Sequence, residues 1–299
     1  MSKSNIIIGT RGSDLALWQA NTVKNQLIEI GLNPKILIIK TTGDTIQNIG
    51  FDKMEGKGFF TKELEEALLN NSIDLAVHSH KDLETNFPKG LTIAAVSSRA
   101  DARELLLIKP KAIDESQMFS LKKGAIVGTS SARRKSQMLH HREDIELNDL
   151  RGNVPTRIEK LRSGNYDAIL LAKAGVDRLG LDLSGLHAIA IPADVFVPAP
   201  AQGVLGIQCR ANDLELINRL SAIHNVETQE QINIERSVLN RLQGGCQLPL
   251  GVYVTKSGNS FHAHVAIAKT WNAPILKFDL ESHDPLSLIE KILERIDIS

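Results

Sequence analysis

Cysteine is nearly absent: Cys209 and Cys246 are the only two in 299 residues. Two thiols cannot make a disulfide scaffold, and a cytoplasmic setting fits best. No run of about 18 apolar residues occurs, so no membrane span is expected. The opening MSKSNIIIGT enters a strand-like run at once. It lacks a signal peptide's long apolar stretch and small-residue cleavage site, which again points to the cytoplasm. Net charge is missing as well, with 35 Lys+Arg against 35 Asp+Glu. That balance argues against general nucleic-acid affinity and shifts the question to where the charge sits. There is no short repeat, no low-complexity tract and no phosphate-loop glycine spacing. No Cys/His group has ligand spacing, so no metal is expected; His78, His80 and Asp82 alternate and would share a strand face, the nearest approach to a chelating set.

What is present is enough apolar residue (42%) to bury substantial cores, more readily as two or three domains than as one. Short β-branched runs alternate with helical stretches. Strands are expected at 5–9, 35–40 and 73–79, with helices at 14–29 and 61–71 between them. The pattern restarts with strands at 124–130, 145–148 and 166–172 and helices at about 132–141 and 154–163. Such alternation predicts mostly parallel, helix-covered sheets. VPAPAQGVLG (197–206) suits a crossover between lobes. Beyond residue 222 a long helix, strand-like runs at 252–255, 261–268 and 275–280 and a closing amphipathic helix suggest a small α+β domain. The expected division is 1–98 with 200–219, then 99–199, then 220–299.

Charge gathers at turns. TRGSDLALWQA (10–20) puts Arg11 in the turn before a helix that Ser13 can cap, and VGTSSARRKSQ (127–137) repeats the device with Arg133 and Arg134 in the first turn. Cations there oppose the helix dipole unless an anion sits among them. LRGNVPTRIEKL (150–161) adds Arg151 and Arg157 at a third strand-to-helix turn. A small polyanion fits such a neutral protein better than a polymer does. DKMEGKGFFTKELE (52–65) holds Lys53 and Lys57 in a glycine-bearing loop, and Asp82 follows Lys81 where open α/β sheets place working residues. RLQGGCQLPLG (241–251) sets Cys246 behind two glycines that leave room for a bulky group, or simply in a turn. Cys209, inside LGIQCR, belongs to an apolar run and is expected to be buried and inert.

These stretches together resemble the porphobilinogen deaminase (hydroxymethylbilane synthase) family, through TR-x-S-x-LAL-x-Q, G-K-G-x-F-x-KELE, HS-x-KD, VGTSS-x-RR, LRGNV-x-TR and GGCQ-x-P-x-G, in the family's order and spacing. The resemblance implies two similar doubly wound α/β lobes of the type II periplasmic-binding-protein kind, plus a small α+β domain carrying the cofactor cysteine. It implies stepwise condensation of four porphobilinogen molecules with release of ammonia, then hydrolytic release of hydroxymethylbilane. One covalent dipyrromethane primer per chain would be attached by thioether to Cys246, presented to the cleft between the lobes. Asp82 would be the catalytic carboxylate. Lys81, Asp82, Thr129, Ser131, Arg133 and Arg134 would hold the cofactor. Arg11, Ser13, Arg151, Arg157, Arg178, Gln202 and Gly203 match substrate-binding positions, and Lys53, Lys57 and Phe60 match a flexible loop.

The implied partners are porphobilinogen and the growing polypyrrole, with no nucleic acid, no membrane and a monomeric chain. Four positions depart from the family's habit: Asp14 and Glu84 stand where proline is usual, His80 where an apolar residue is usual, and Gln208 where glutamate is usual. His80 beside Asp82 would be expected to alter the pH profile. A noncatalytic two-lobed small-anion binder is the alternative, since such lobes also serve solute-binding proteins.

Overall fold

Alternation organises the first strand, β1 (Asn5–Thr10): Ile6 and Ile8 point into a core while Ile7 between them is exposed. The computed structural model describes residues 5–41, 61–243 and 247–297. Helix α1 (Asp14–Glu29) begins at Ser13, whose hydroxyl accepts from the Ala16 amide, and contains no glycine or proline. Its buried Gln19, Ala20, Val23 and Leu27 form one stripe. The chain then turns through Gly31, at φ +80°, into β2 (Asn33–Ile38). That strand starts two residues before its apolar run, because Asn33 and Pro34 already pair with Asn5 and Ile6. Pro34 is tolerated because β2 is an edge strand.

The chain divides into two units, Met1–Ala100 with Gly203–Glu230, and Asp101–Gln202 with Gln231–Ser299. The first unit is built on a five-stranded sheet in the order β2-β1-β3-β10-β4, where β3 is Leu75–Ser79, β4 Leu91–Val96 and β10 Leu205–Arg210. β1 pairs in parallel with β2 and β3; β10 runs against both β3 and β4. Ile6, Ile8, Val23, Leu27, Leu75, Val77, Ile207 and Cys209 close the core beneath α1, and α2 (Lys62–Leu69) buries Leu64 and Leu68 over the other face.

The second unit repeats the plan. Its sheet runs β7-β6-β8-β5-β9, from β5 (Glu104–Ile108), β6 (Ile126–Gly128), β7 (Glu146–Asn148), β8 (Ala168–Ala172) and β9 (His187–Ile191). Again one strand, β5, runs against its neighbours. β5 is covered on both faces: Leu106 and Ile108 pack with Met138 of α3 (Ala132–His141), Leu105 and Leu107 with Ile158 and Leu161 of α4 (Val154–Arg162). A short helix, α5 (Lys173–Leu179), follows β8.

The same unit carries the antiparallel sheet β11 (Leu250–Ser257), β12 (Ser260–Ile267) and β13 (Leu276–Ser282). Val252, Val254, Ala263 and Val265 on its inner face meet Ile234 and Val238 of α7 (Val226–Arg241) and Leu288, Ile289 and Ile292 of α8 (Pro285–Asp297). Between these elements and the first unit's sheet lies α6 (Leu214–Leu220) in chain order. Two α/β lobes with a three-stranded α+β appendage are the architecture expected, but the sheets are mixed rather than mostly parallel, because β10 and β5 each run against both neighbours. β4, β5, β9 and β10 are strands that periodicity alone did not single out. No described helix is long and apolar enough to cross a membrane.

Candidate functional site

In the first unit the working turns are tied to each other. Gln19 of α1 donates to Ser79 Oγ at the end of β3 (2.8 Å), and Thr10 Oγ1 donates to the Ala16 carbonyl (3.1 Å). The turn bearing Arg11 and Ser13 is therefore braced against the strand that leads to Asp82. β3 ends at Ser79, and His80–Asp82 form a 3-10 turn. The expected shared strand face of His78, His80 and Asp82 is thus corrected: the chain leaves extended geometry before His80. Among the described residues no three His, Cys, Asp or Glu side chains group to hold a metal.

The turn sorts the three side chains. Asp82 is exposed and Lys81 half-buried, while His80 is buried against Gly206, where even a methyl group would sit 3.1 Å from its ring. His78 is buried too, with Nε2 3.0 Å from Gln208 Oε1, and Gln208 Nε2 donates to Glu65 (3.1 Å). Since the Gln208 amide nitrogen faces Glu65, its oxygen faces the ring, and His78 carries its proton on Nε2. Burial pulls His78 down to about 4, against the Gln208 hydrogen bond, and the Arg11 charge pulls the same way. Burial also raises the Glu65 carboxyl above its ordinary value.

In the second unit Ser131 caps α3, accepting from the Arg134 amide, while its own amide donates to Thr129 Oγ1. Ser130 Oγ both donates to and accepts from the backbone of Leu150 (3.1 and 3.0 Å), which joins this turn to the one bearing Arg151. Arg157 Nε donates to the Gly152 carbonyl, and Asn153 caps α4. Arg178 on α5 is largely desolvated, which pulls its guanidinium down to about 10.

Arg133 and Arg134 are not displayed on a solvated helix face. Both are buried, and both lie on Glu104: Arg133 Nη2 is 2.6 Å from Oε1, and Arg134 Nη2 2.8 Å from Oε2. Burial lowers the Arg133 guanidinium, opposed by the Glu104 charge. Counted over these three side chains, the formal charge is +1. Gln202 is buried and donates to the Ala102 carbonyl (2.8 Å) and Glu104 Oε1 (2.9 Å). Gly203 has φ +88°, and a Cβ there would meet the Ala100 carbonyl at 2.6 Å, so glycine is required. Lys53, Lys57, Phe60 and Cys246 lie outside the described residues.

Two residues escaped the sequence reading. Glu104 looks like a polar lead-in to the run LLLI, and nothing local pairs it with arginines some 30 positions on. Glu235, on an ordinary amphipathic helix, is fully buried and accepts from the amides of Ala201 (2.7 Å) and Val254 (2.8 Å).

The family model described as "Porphobilinogen deaminase, dipyromethane cofactor binding domain" matches residues 6–218, and "Porphobilinogen deaminase, C-terminal domain" matches 229–269. A porphobilinogen deaminase of Brevibacillus brevis is 40% identical over 97% of this chain and 93% of its own. One of Chloroherpeton thalassium is 45% identical over 87% and 82%. Among solved structures, an ancestral cationic amino acid solute binding protein aligns with TM-score 0.45 and 14% identity over 80% of this chain and 90% of its own.

Proposed function

The chain belongs to the porphobilinogen deaminase family, and from that premise we propose how its residues divide the work. Its activity is that of porphobilinogen deaminase, or hydroxymethylbilane synthase. Four porphobilinogen molecules are condensed head to tail, each losing ammonia, and water then releases the linear product. The resident cofactor is dipyrromethane. When bound, it supplies the pyrrole end on which the chain is extended.

The second unit's residues fit such a group. Each pyrrole carries two carboxylates, and the turn opening α3 offers two guanidinium groups on a single carboxylate, with the hydroxyls of Thr129 and Ser131 beside them. Thr129, Ser131, Arg133 and Arg134 hold the cofactor in this reading, with Lys81 and Asp82, and Cys246 is its point of attachment. The buried arginine pair with its net positive charge is the observation that carries this assignment. Well-formed hydrogen bonds to charged groups contribute roughly 1.5–3 kcal/mol each.

Asp82 is the catalytic carboxylate. Loss of the substrate's amine leaves positive charge on a pyrrole, and a fixed anion stabilises that charge as it develops. The same carboxylate, being acceptor-only when ionised, can also accept hydrogen bonds from pyrrole N–H groups and so orient the rings. Its exposed place on a 3-10 turn keeps it reachable, while the Gln19–Ser79 bond steadies the strand behind it. Arg11, Ser13, Arg151, Arg157 and Arg178 pair with acetate and propionate groups, arginine being always charged and able to fork onto a carboxylate. Gln202 and Gly203 shape the crossover, and Lys53, Lys57 and Phe60, which lie outside the described residues, match the family's loop positions. Residues 1–98 with 200–219, 99–199 and 220–299 act as three domains of a monomeric cytoplasmic enzyme.

Asp82→Asn tests the reading, because it keeps shape and hydrogen bonding while removing charge. Turnover of porphobilinogen should fall by two or more orders of magnitude, about 3–4 kcal/mol in the barrier, with the fold intact. A variant that still releases product at near wild-type rate would move the catalytic role to another residue.

A further inference from the structure

Glu104 is fully buried at the start of β5, yet the condensation chemistry does not call on it. Its position has the parity of Leu106 and Ile108, so the carboxylate points to the α3 side of the sheet. Oε1 accepts from Arg133 Nη2 (2.6 Å) and Gln202 Nε2 (2.9 Å); Oε2 accepts from Arg134 Nε (2.9 Å) and lies 2.8 Å from its Nη2. Carbonyls hold the guanidinium groups from other directions, Val197 on Arg133 Nη1 (2.9 Å) and Leu170 on Arg134 Nη1 (3.1 Å).

Two adjacent arginines would not stay buried together without an anion between them, because their charges repel and neither would be solvated. A second anion of the same kind would neutralise the pair and leave nothing for a ligand. One carboxylate meets both requirements: it leaves a formal +1 and fixes two long, otherwise rotatable side chains in defined planes. Gln137 provides matching support for the backbone, accepting from the Val197 amide (2.6 Å) and donating to its carbonyl (2.9 Å).

We propose that Glu104 is a positioning residue for primer binding, holding the Arg133–Arg134 pair in the orientation and at the net charge that accept the primer's carboxylates. This rests on the reading that the arginine pair holds the primer. Glu104→Asp keeps the charge and withdraws the oxygens by a methylene; Glu104→Gln keeps the shape and raises the cluster to +2.

The test uses the full chain prepared without primer and follows primer acquisition from hydroxymethylbilane by intact mass, with thermal melting alongside. Wild type, Glu104→Asp, Glu104→Gln, Arg134→Leu and the double variant Glu104→Asp/Arg134→Leu are compared. Glu104→Asp should fold and acquire primer roughly tenfold or more slowly, the usual consequence of a small misplacement of binding groups. In the Arg134→Leu background the same change should slow acquisition much less, because two residues acting through one contact are not additive. Glu104→Gln should be slower still wherever it folds, and the aspartate arms decide the matter if it does not. Wild-type acquisition by Glu104→Asp, or equal slowing with and without Arg134, would overturn the proposal while leaving the arginine reading standing. Wild-type acquisition by Arg134→Leu would sink the arginine reading itself, and the proposal with it.

Discussion

His78 Nε2 lies 3.0 Å from the side-chain oxygen of Gln208, and Gln208 passes the contact on to Glu65. The chain of three is neutral at its histidine end, since burial holds His78 at about 4 rather than the ordinary 6.5. A depressed histidine favours the fold fully above 6.5, and that contribution is lost as pH falls from 6.5 to about 4. The gap corresponds to about 3 kcal/mol. Glu65 works the other way: its raised carboxyl favours the fold below its ordinary value and loses that contribution as pH rises.

His78→Gln isolates the histidine's share. Denaturant unfolding at pH 7 and pH 4 should show a markedly smaller acid loss in the variant than in wild type. Equal losses would mean that His78 already titrates normally in the fold.

The alternation of His78, His80 and Asp82 shows where sequence reading stops. Period-2 spacing predicts one shared face only while the strand lasts, and β3 ends at Ser79. Helix α1 was legible to the residue because Ser13, an uninterrupted apolar stripe and Gly31 all mark it locally. The arginine pair was legible as an unusual charge placement, but its partner was not. Glu104 reaches it through the order of strands in a sheet, which no local signal encodes. His80, suspected of altering the pH profile, is enclosed against Gly206 rather than set beside the carboxylate on an open face.

Gly251 closes the GGCQ-x-P-x-G stretch, and the reason is close approach. A Cβ there would stand 2.6 Å from the Val197 carbonyl oxygen and 2.9 Å from Val197 Cβ. That carbonyl also accepts from Arg133 and Gln137, so it cannot yield freely. Gly251→Ala should destabilise by about 1–3 kcal/mol. Gly12→Ala meets only Ile38 Cγ2 at 3.4 Å, and should stay within about 0.5 kcal/mol of wild type. Matching melting temperatures for the two variants would contradict this packing account.

Cys209 is expected to be silent. It is fully buried in the first unit's core, and burial, with the Asp213 charge, pushes its thiol up to about 11. Iodoacetamide at pH 8 should therefore leave Cys209 unlabelled in the native protein and modify it readily after unfolding. Cys209→Ser should retain both primer and turnover, with at most a loss of stability. Rapid native-state labelling at Cys209 would show that this part of the core opens.

The central claim is that this chain builds a polypyrrole on a dipyrromethane bound through Cys246. Its most direct test is the denatured intact mass of the purified protein, followed by peptide mapping of the adduct. The account predicts a mass above that of the sequence by two pyrrole units, carried on the peptide containing Cys246 and absent from Cys246→Ser, which should fold yet make almost no tetrapyrrole. An active protein at its bare sequence mass, or an adduct on Cys209, would contradict it.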